Sequence, residues 1–303
     1  MKKQMGYIGL GKMGKNMVLR LLEHGWEIVA TDANPQAVAD IKNSGAQGVS
    51  DLAILTDKLD SPRLLWLMVP HQVVDTVLEE LMPLLEEGDV VIDGGNSNYK
   101  ETLRRASELE AKGIKFMDAG ISGGPAGARN GACSMVGGSK ELFENNEELF
   151  KDISAPESYG RMGRTGAGHF VKMVHNGIEY GMMQAIGEGF GVMKKSDFDL
   201  DLQEVTRVYN HNSVIESRLV GWLQSAFEQE GVDLEAISGK VSHSGEGLWT
   251  VEVAKELNIS VPIIEGSLTF REESQKNPSY IGKVVSALRN QFGGHEVSKK
   301  QEL

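Results

Sequence analysis

The sequence predicts an α/β protein, with a doubly wound parallel sheet followed by an all-α C-terminal domain. Three observations predict it. Short apolar runs alternate with helical periodicity through the first half. A Gly-x-Gly-x-x-Gly turn, Gly9–Gly14, directly follows the first apolar run. Beyond Gly166 the strand signals stop, and helical periodicity alone remains. A length of 303 residues suits two domains at ~150 residues each. The sequence divides at 1–165 for dinucleotide binding and 166–303 for substrate binding and oligomerisation.

Gln4–Ile8 reads as a buried strand, and Gly9-Leu10-Gly11-Lys12-Met13-Gly14 opens a helix to about His24. Strand, glycine turn and helix together form the Rossmann dinucleotide fingerprint. The first Gly permits the turn, the second admits a pyrophosphate, and the third lets helix pack on strand. Free N–H groups at the helix start suit the phosphates. Glu27–Thr31 is the next strand, and Asp32 ends it eighteen residues after Gly14. An acid there accepts hydrogen bonds from the adenosine ribose and repels a 2′-phosphate. No Arg follows in Ala33-Asn34-Pro35-Gln36, so NAD is expected over NADP. The competing role for Asp32 is capping of the helix after Asn34.

The alternation continues with a strand at Leu64–Val69, ending in Pro70-His71, and a helix at Val73–Leu85. Val90–Ile92 is a strand ending in Asp93-Gly94-Gly95-Asn96-Ser97; Tyr99–Ala111 is a helix, and Lys115–Ala119 a strand. Ligands of such sheets bind beyond the C-terminal strand ends. Val69, Pro70 and Asn96 therefore should flank the nicotinamide. Ser122-Gly123-Gly124 exposes successive backbone N–H groups, suited to a carboxylate or phosphate, or else forms an ordinary turn. A strand at Ser134–Val136 and a helix at Glu141–Phe150 follow. Helices are expected at 167–194, 202–212, 215–230, 250–257, 263–276 and 280–291.

The helix at 167–194 carries an unusual stripe. Lys172, His175, Asn176, Glu179 and Tyr180 fall at i, i+3, i+4, i+7 and i+8, one helical face. Its other positions are mostly apolar or small, as in a buried helix. Buried polar groups need partners. The stripe is then a candidate active-site wall with a base, Lys172, and an acid, Glu179; the alternative is a solvated surface face.

Composition narrows the classes. A net charge of −12 argues against general nucleic-acid binding. No run of ~18 apolar residues and no leader pattern is present, so a cytoplasmic protein without membrane attachment is expected. The single Cys133 excludes an intrachain disulfide, and without a Cys/His cluster no metal is expected. Arg271, Arg289 and His295 are the late cations that could grip an anion.

On these motifs the chain resembles the decarboxylating 6-phosphogluconate dehydrogenases of the β-hydroxyacid dehydrogenase superfamily, in their short, NAD-preferring bacterial form. Gly9–Gly14, Ser122-Gly123-Gly124 and Lys172 with Asn176 carry the wider likeness. Asp93–Ser97, the run Lys172–Tyr180, and Arg289 with Phe292-Gly293 and His295 carry the narrower one. The resemblance implies oxidative decarboxylation of 6-phosphogluconate to ribulose 5-phosphate in gluconate metabolism and the pentose phosphate pathway. It implies Lys172 as base and Glu179 as acid. Asn96, Ser122, Gly123, Gly124, His175 and Asn176 would hold the carboxylate and hydroxyls. Tyr180 and Arg271 would hold the phosphate. Arg289 and His295 would reach the site from a neighbouring subunit of a homodimer or homotetramer. The alternatives are a non-decarboxylating dehydrogenase of a small β-hydroxy acid such as 3-hydroxyisobutyrate, and a regulatory nucleotide-binding protein without turnover.

One segment departs from the family pattern. In Ser244-Gly245-Glu246-Gly247-Leu248-Trp249-Thr250, Ser244 stands for a Lys and Glu246 for a Thr. A carboxylate beside a phosphate is unfavourable. Glu246 then turns away, pairs with an Arg, or weakens phosphate recognition.

Overall fold

The computed structural model describes residues 3–242 and 245–294. The chain divides into two compact units, Met1–Lys172 and Met173–Leu303.

The first unit is a sheet wrapped by helices. Its strands are β1 (Gln4–Ile8), β2 (Glu27–Thr31), β3 (Gln47–Gly48), β4 (Leu64–Leu67), β5 (Val90–Asp93), β6 (Lys115–Ser122), β7 (Ala132–Gly137) and β8 (Ser154–Gly163). Between them lie α1 (Lys12–Glu23), α2 (Pro35–Asn43), α3 (Leu52–Asp57), α4 (Val74–Leu81), α5 (Tyr99–Glu110), α6 (Gly124–Asn130), α7 (Lys140–Asn145) and α8 (Glu147–Ile153). The sheet order is β3-β2-β1-β4-β5-β6-β7-β8. Every neighbouring pair is parallel except β6–β7, which is antiparallel. The order reverses between β1 and β4, as in a doubly wound sheet.

Both sheet faces are buried, which explains why the strands read as continuous apolar runs. Tyr7, Trp66, Ile92 and Met117 pack on one face with Met17, Val18 and Leu21 of α1. Their sequence neighbours Ile8, Leu65, Leu67, Val91 and Phe116 pack on the other with Val74, Leu78 and Leu109. Successive side chains alternate across a strand, so the two cores interleave along the sequence. Truncating one of these side chains to Ala removes ~2–5 kcal/mol.

The helices of the second half are α9 (Ala167–Lys194), α10 (Leu202–Tyr209), α11 (Arg218–Glu230), α12 (Glu246–Glu256), α13 (Pro262–Ser274) and α14 (Tyr280–Gly293). The unit boundary falls within α9, between Lys172 and Met173. The second unit's core joins Met183 and Phe190 of α9 to Leu223 and Phe227 of α11 and Val284, Val285 and Leu288 of α14. Among the described residues, no helix is long and apolar enough to cross a membrane.

Several boundaries differ from the sequence reading. β6 continues through Gly120 to Ser122, and α12 begins at Glu246, four residues before the expected start at 250. The helix expected at Glu141–Phe150 breaks at Asn146 into α7 and α8. β8 and the two-residue β3 were not expected.

Candidate active site

In the first unit, backbone geometry shapes the nucleotide cradle. Gly9 has φ +101, and a Cβ there would lie 2.4 Å from the Met68 carbonyl oxygen. A Cβ on Gly14 would meet the Gly9 carbonyl oxygen at 2.0 Å. Gly11 has open space instead, and it begins α1 with no side-chain cap. The strand-to-helix turn is thus closed where helix meets strand and open where a pyrophosphate would approach, so these residues fit a dinucleotide. Asp32 Oδ2 accepts from the Leu10 N–H at 2.5 Å, and Oδ1 from the Asn34 N–H at 2.7 Å. It fastens the β2 end to the glycine turn. The α2 cap is Asn34, whose side chain accepts from the Gln36 N–H.

A second carboxylate shapes the loop after β5. Asp93, fully buried, accepts from Gly95 N–H at 3.0 Å and Ser97 Oγ at 2.6 Å. This leaves Asn96, between those two donors, exposed. Gly123, with φ +120, precedes α6, so Ser122 closes β6 and Gly124 starts the helix.

A third carboxylate holds the start of α9. Asp118 of β6 accepts from the Gly166 N–H at 2.6 Å and the His169 N–H at 2.8 Å. A Cβ on Gly168 would lie 2.5 Å from the Met135 carbonyl oxygen, so only glycine lets α9 approach the sheet there. One turn later Lys172 passes over Gly120, where an added Cβ would fall 2.3 Å from the Lys172 Cβ. Lys172 is 8% exposed. Asp93, Asp118 and Gly120 received no role from the sequence. The available signal was a Gly inside an apolar strand and acids at strand ends.

The second unit gathers the rest. His175 Nδ1 is 3.0 Å from Asn176 Oδ1 and 3.8 Å from Glu179 Oε2. Arg271 is 1% exposed, with its guanidinium carbon 3.4 Å from the centre of the Tyr180 ring. Its Nη1 donates to the Ser242 carbonyl at 3.2 Å, and Arg289 Nη1 donates to Ser242 Oγ at 2.9 Å. Arg271 Nε and Nη2 have no hydrogen-bond partner among the described residues. Burial first, with the Arg289 charge adding to it, lowers the Arg271 pKa to about 10; burial also lowers that of Arg289. A buried guanidinium with donors to spare, beside a second one, is suited to an anion.

Arg289 lies on the buried face of α14 and donates to Ser242 of its own chain. His295 and Ser244 lie outside the described residues.

Two close approaches fix α12 on α9. A Cβ on Gly177 would lie 2.9 Å from Thr250 Oγ1, and one on Gly247 would lie 2.6 Å from the Tyr180 ring. Thr250 Oγ1 donates to the Met173 carbonyl at 2.9 Å. Glu246, 4% exposed, begins α12 in this contact.

The sequence profile of the NAD binding domain of 6-phosphogluconate dehydrogenase matches residues 4–173, and that of the 6-phosphogluconate dehydrogenase C-terminal domain matches 168–301. The chain belongs to the 6-phosphogluconate dehydrogenase family. It is therefore an oxidoreductase with a nicotinamide-dinucleotide-binding domain. YqeC of Bacillus subtilis is 48% identical over 98% of this chain and 100% of YqeC. The NAD(+)-dependent, decarboxylating 6-phosphogluconate dehydrogenase of Haloferax volcanii is 42% identical over 99% of this chain and 100% of its own length. The structure of Plasmodium falciparum 6-phosphogluconate dehydrogenase superposes with TM-score 0.79 at 29% identity, over 90% of this chain and 62% of that one.

Proposed function

We propose that this family member oxidatively decarboxylates 6-phospho-D-gluconate to D-ribulose 5-phosphate and carbon dioxide, with NAD as acceptor, in the cytoplasm. The observation that carries the reading is Arg271, buried with two unpartnered donors over Tyr180 and beside Arg289. A small β-hydroxy acid without a phosphate gives such a pair no ligand. The Haloferax relative's name supports the cofactor and the decarboxylation.

The Gly9–Gly14 cradle would hold the pyrophosphate of the dinucleotide, which when bound would supply the acceptor for the hydride of substrate C3. Asp32 takes the adenosine ribose hydroxyls and disfavours a 2′-phosphate. Val69 and Pro70, beyond the end of β4, would flank the nicotinamide. Lys172 removes the proton from the 3-hydroxyl as the hydride departs. The resulting 3-keto acid has its carboxylate β to the carbonyl, so the C1–C2 bond breaks and its electron pair moves into an enolate. The Lys172 ammonium then hydrogen-bonds the enolate oxygen. Glu179, two turns along α9, protonates the carbon that lost carbon dioxide. Asn96, Ser122, Gly123, Gly124, His175 and Asn176 hold the carboxylate and hydroxyls. Tyr180, Arg271 and Arg289 hold the phosphate. The helical unit also carries the oligomer contact.

The test is a steady-state assay with 6-phosphogluconate and NAD that follows NADH and carbon dioxide together. Equal release is expected. NADH without carbon dioxide would reassign the reaction to simple dehydrogenation and remove the acid role from Glu179. Neither product would rule out the substrate.

A further inference from the structure

The reading of Arg271 and Arg289 as phosphate ligands leaves one neighbour unexplained. Glu246 is almost fully buried, yet it is ionisable and lies at the start of α12. Its position is fixed on both sides. Gly247 packs against the Tyr180 ring, and the Arg271 guanidinium carbon lies 3.4 Å from the centre of the same ring. Thr250 Oγ1, one turn on, donates to the Glu246 carbonyl at 2.9 Å and anchors the turn to α9. Arg271 and Arg289 are drawn together at Ser242. Tyr180 and the carboxylates of Glu246 and Glu179 each offset the effect of burial on the two arginines, and of these carboxylates Glu246 is the one the proposed chemistry leaves without a task. At 4% exposure that charge is little screened by solvent. A helix start also favours an acid in its first turn.

We infer that Glu246 is the internal counter-anion of the Arg271–Arg289 pair and sets how strongly the pair takes up a phosphate monoester. Without ligand, two buried cations repel each other and need a negative charge. Glu246 supplies one. When a phosphate dianion enters, the same carboxylate opposes it at short range. An anion gripped through the guanidiniums alone then binds weakly. A substrate with further contacts through its carboxylate and hydroxyls overcomes that opposition. Glu246 is therefore a specificity residue: it discriminates the whole phosphorylated sugar acid from bare phosphate. It acts through its charge on the cations that hold the ligand and takes no part in proton transfer.

This inference rests on the phosphate-site reading, and the experiment separates the two. Inorganic phosphate is the probe, with calorimetric affinity and the thermal midpoint measured on the full chain for wild type, Glu246→Gln, Glu246→Asp and Arg271→Met. Glu246→Gln is expected to lower the midpoint in phosphate-free buffer and to tighten inorganic phosphate about tenfold, as removal of a like charge from a buried site requires. The inhibition constant of inorganic phosphate should fall by more than the KM for 6-phosphogluconate. Glu246→Asp keeps the charge and should retain weak phosphate binding. An unchanged or weaker phosphate affinity in Glu246→Gln, with only the midpoint lowered, would overturn the inference and make Glu246 a structural residue. If Arg271→Met leaves wild-type phosphate binding intact, the phosphate-site reading fails, and this inference fails with it.

Discussion

The two units organise their polar groups in opposite ways. In the first, each buried or half-buried acid near the cradle is satisfied by donors: Asp32 by the N–H groups of Leu10 and Asn34, Asp93 by Gly95 and Ser97, Asp118 by Gly166 and His169. These carboxylates fix loops and a helix start, and backbone presents the binding surface. In the second, the surface is made of side chains, and Arg271 keeps donors unused in a dry setting. A site made of backbone is stable before its ligand arrives. A site made of buried cations leans on the protein's own negative groups until an anion arrives, because burial disfavours the charged form there.

The largest test of this contrast is Lys172→Met. Positioned proton transfer contributes ~10²–10⁴-fold, so turnover should fall about 10³-fold. Dinucleotide affinity measured by calorimetry should stay, because backbone supplies it. Loss of both would mean that Lys172 also holds the cradle together. Arg271→Met comes next. Removing a desolvated charge from its ligand should raise KM for 6-phosphogluconate about 10²-fold. Its thermal midpoint without phosphate should fall by less than that of Glu246→Gln, since Arg289 still faces the carboxylate and one poorly satisfied buried cation is gone. A larger fall would show that Arg271 stabilises the empty protein, and the contrast between units would collapse.

Asp32→Ala sharpens the first half of the comparison. The ratio of kcat/KM for NADP to that for NAD should rise about tenfold, equivalent to ~1.4 kcal/mol. Unchanged selectivity would confine Asp32 to its bonds with Leu10 and Asn34. The smallest effect is expected from Gly120→Ala. The new methyl collides with the Lys172 Cβ, and overpacking of this kind costs ~1–3 kcal/mol. The denaturation midpoint should drop and kcat should fall, with KM for NAD unaltered.

What could be read from the sequence follows the same division. The glycine turn, Asp32 at the end of β2, and the span of α9 were legible because each is a local pattern of a few turns or one strand. β8 was not legible, because it lies at the sheet edge, contains Pro156 and Glu157, and exposes much of its length. Edge strands need no apolar alternation and tolerate proline. The start of α12 was misplaced because Gly245 and Gly247 read as loop, although Gly247 is a helical residue kept small by Tyr180. The stripe on α9 set Lys172, His175, Asn176, Glu179 and Tyr180 along one helix, yet nothing local placed Arg271 on Tyr180, ninety-one residues away in the chain. Arginine is exposed by default, and its burial comes only from tertiary packing.

The glycine locks also limit how this sequence can drift. Position 120 faces the Cβ of residue 172 and the Gly168 carbonyl, so no exchange of the lysine for another side chain makes room there, whereas position 247 is closed only by the Tyr180 ring. Neither glycine contacts a ligand in the proposed chemistry. Across diverging relatives position 120 should therefore stay glycine, the pair 247/180 should vary jointly, and a library that randomises 120 or 247 alone should return glycine.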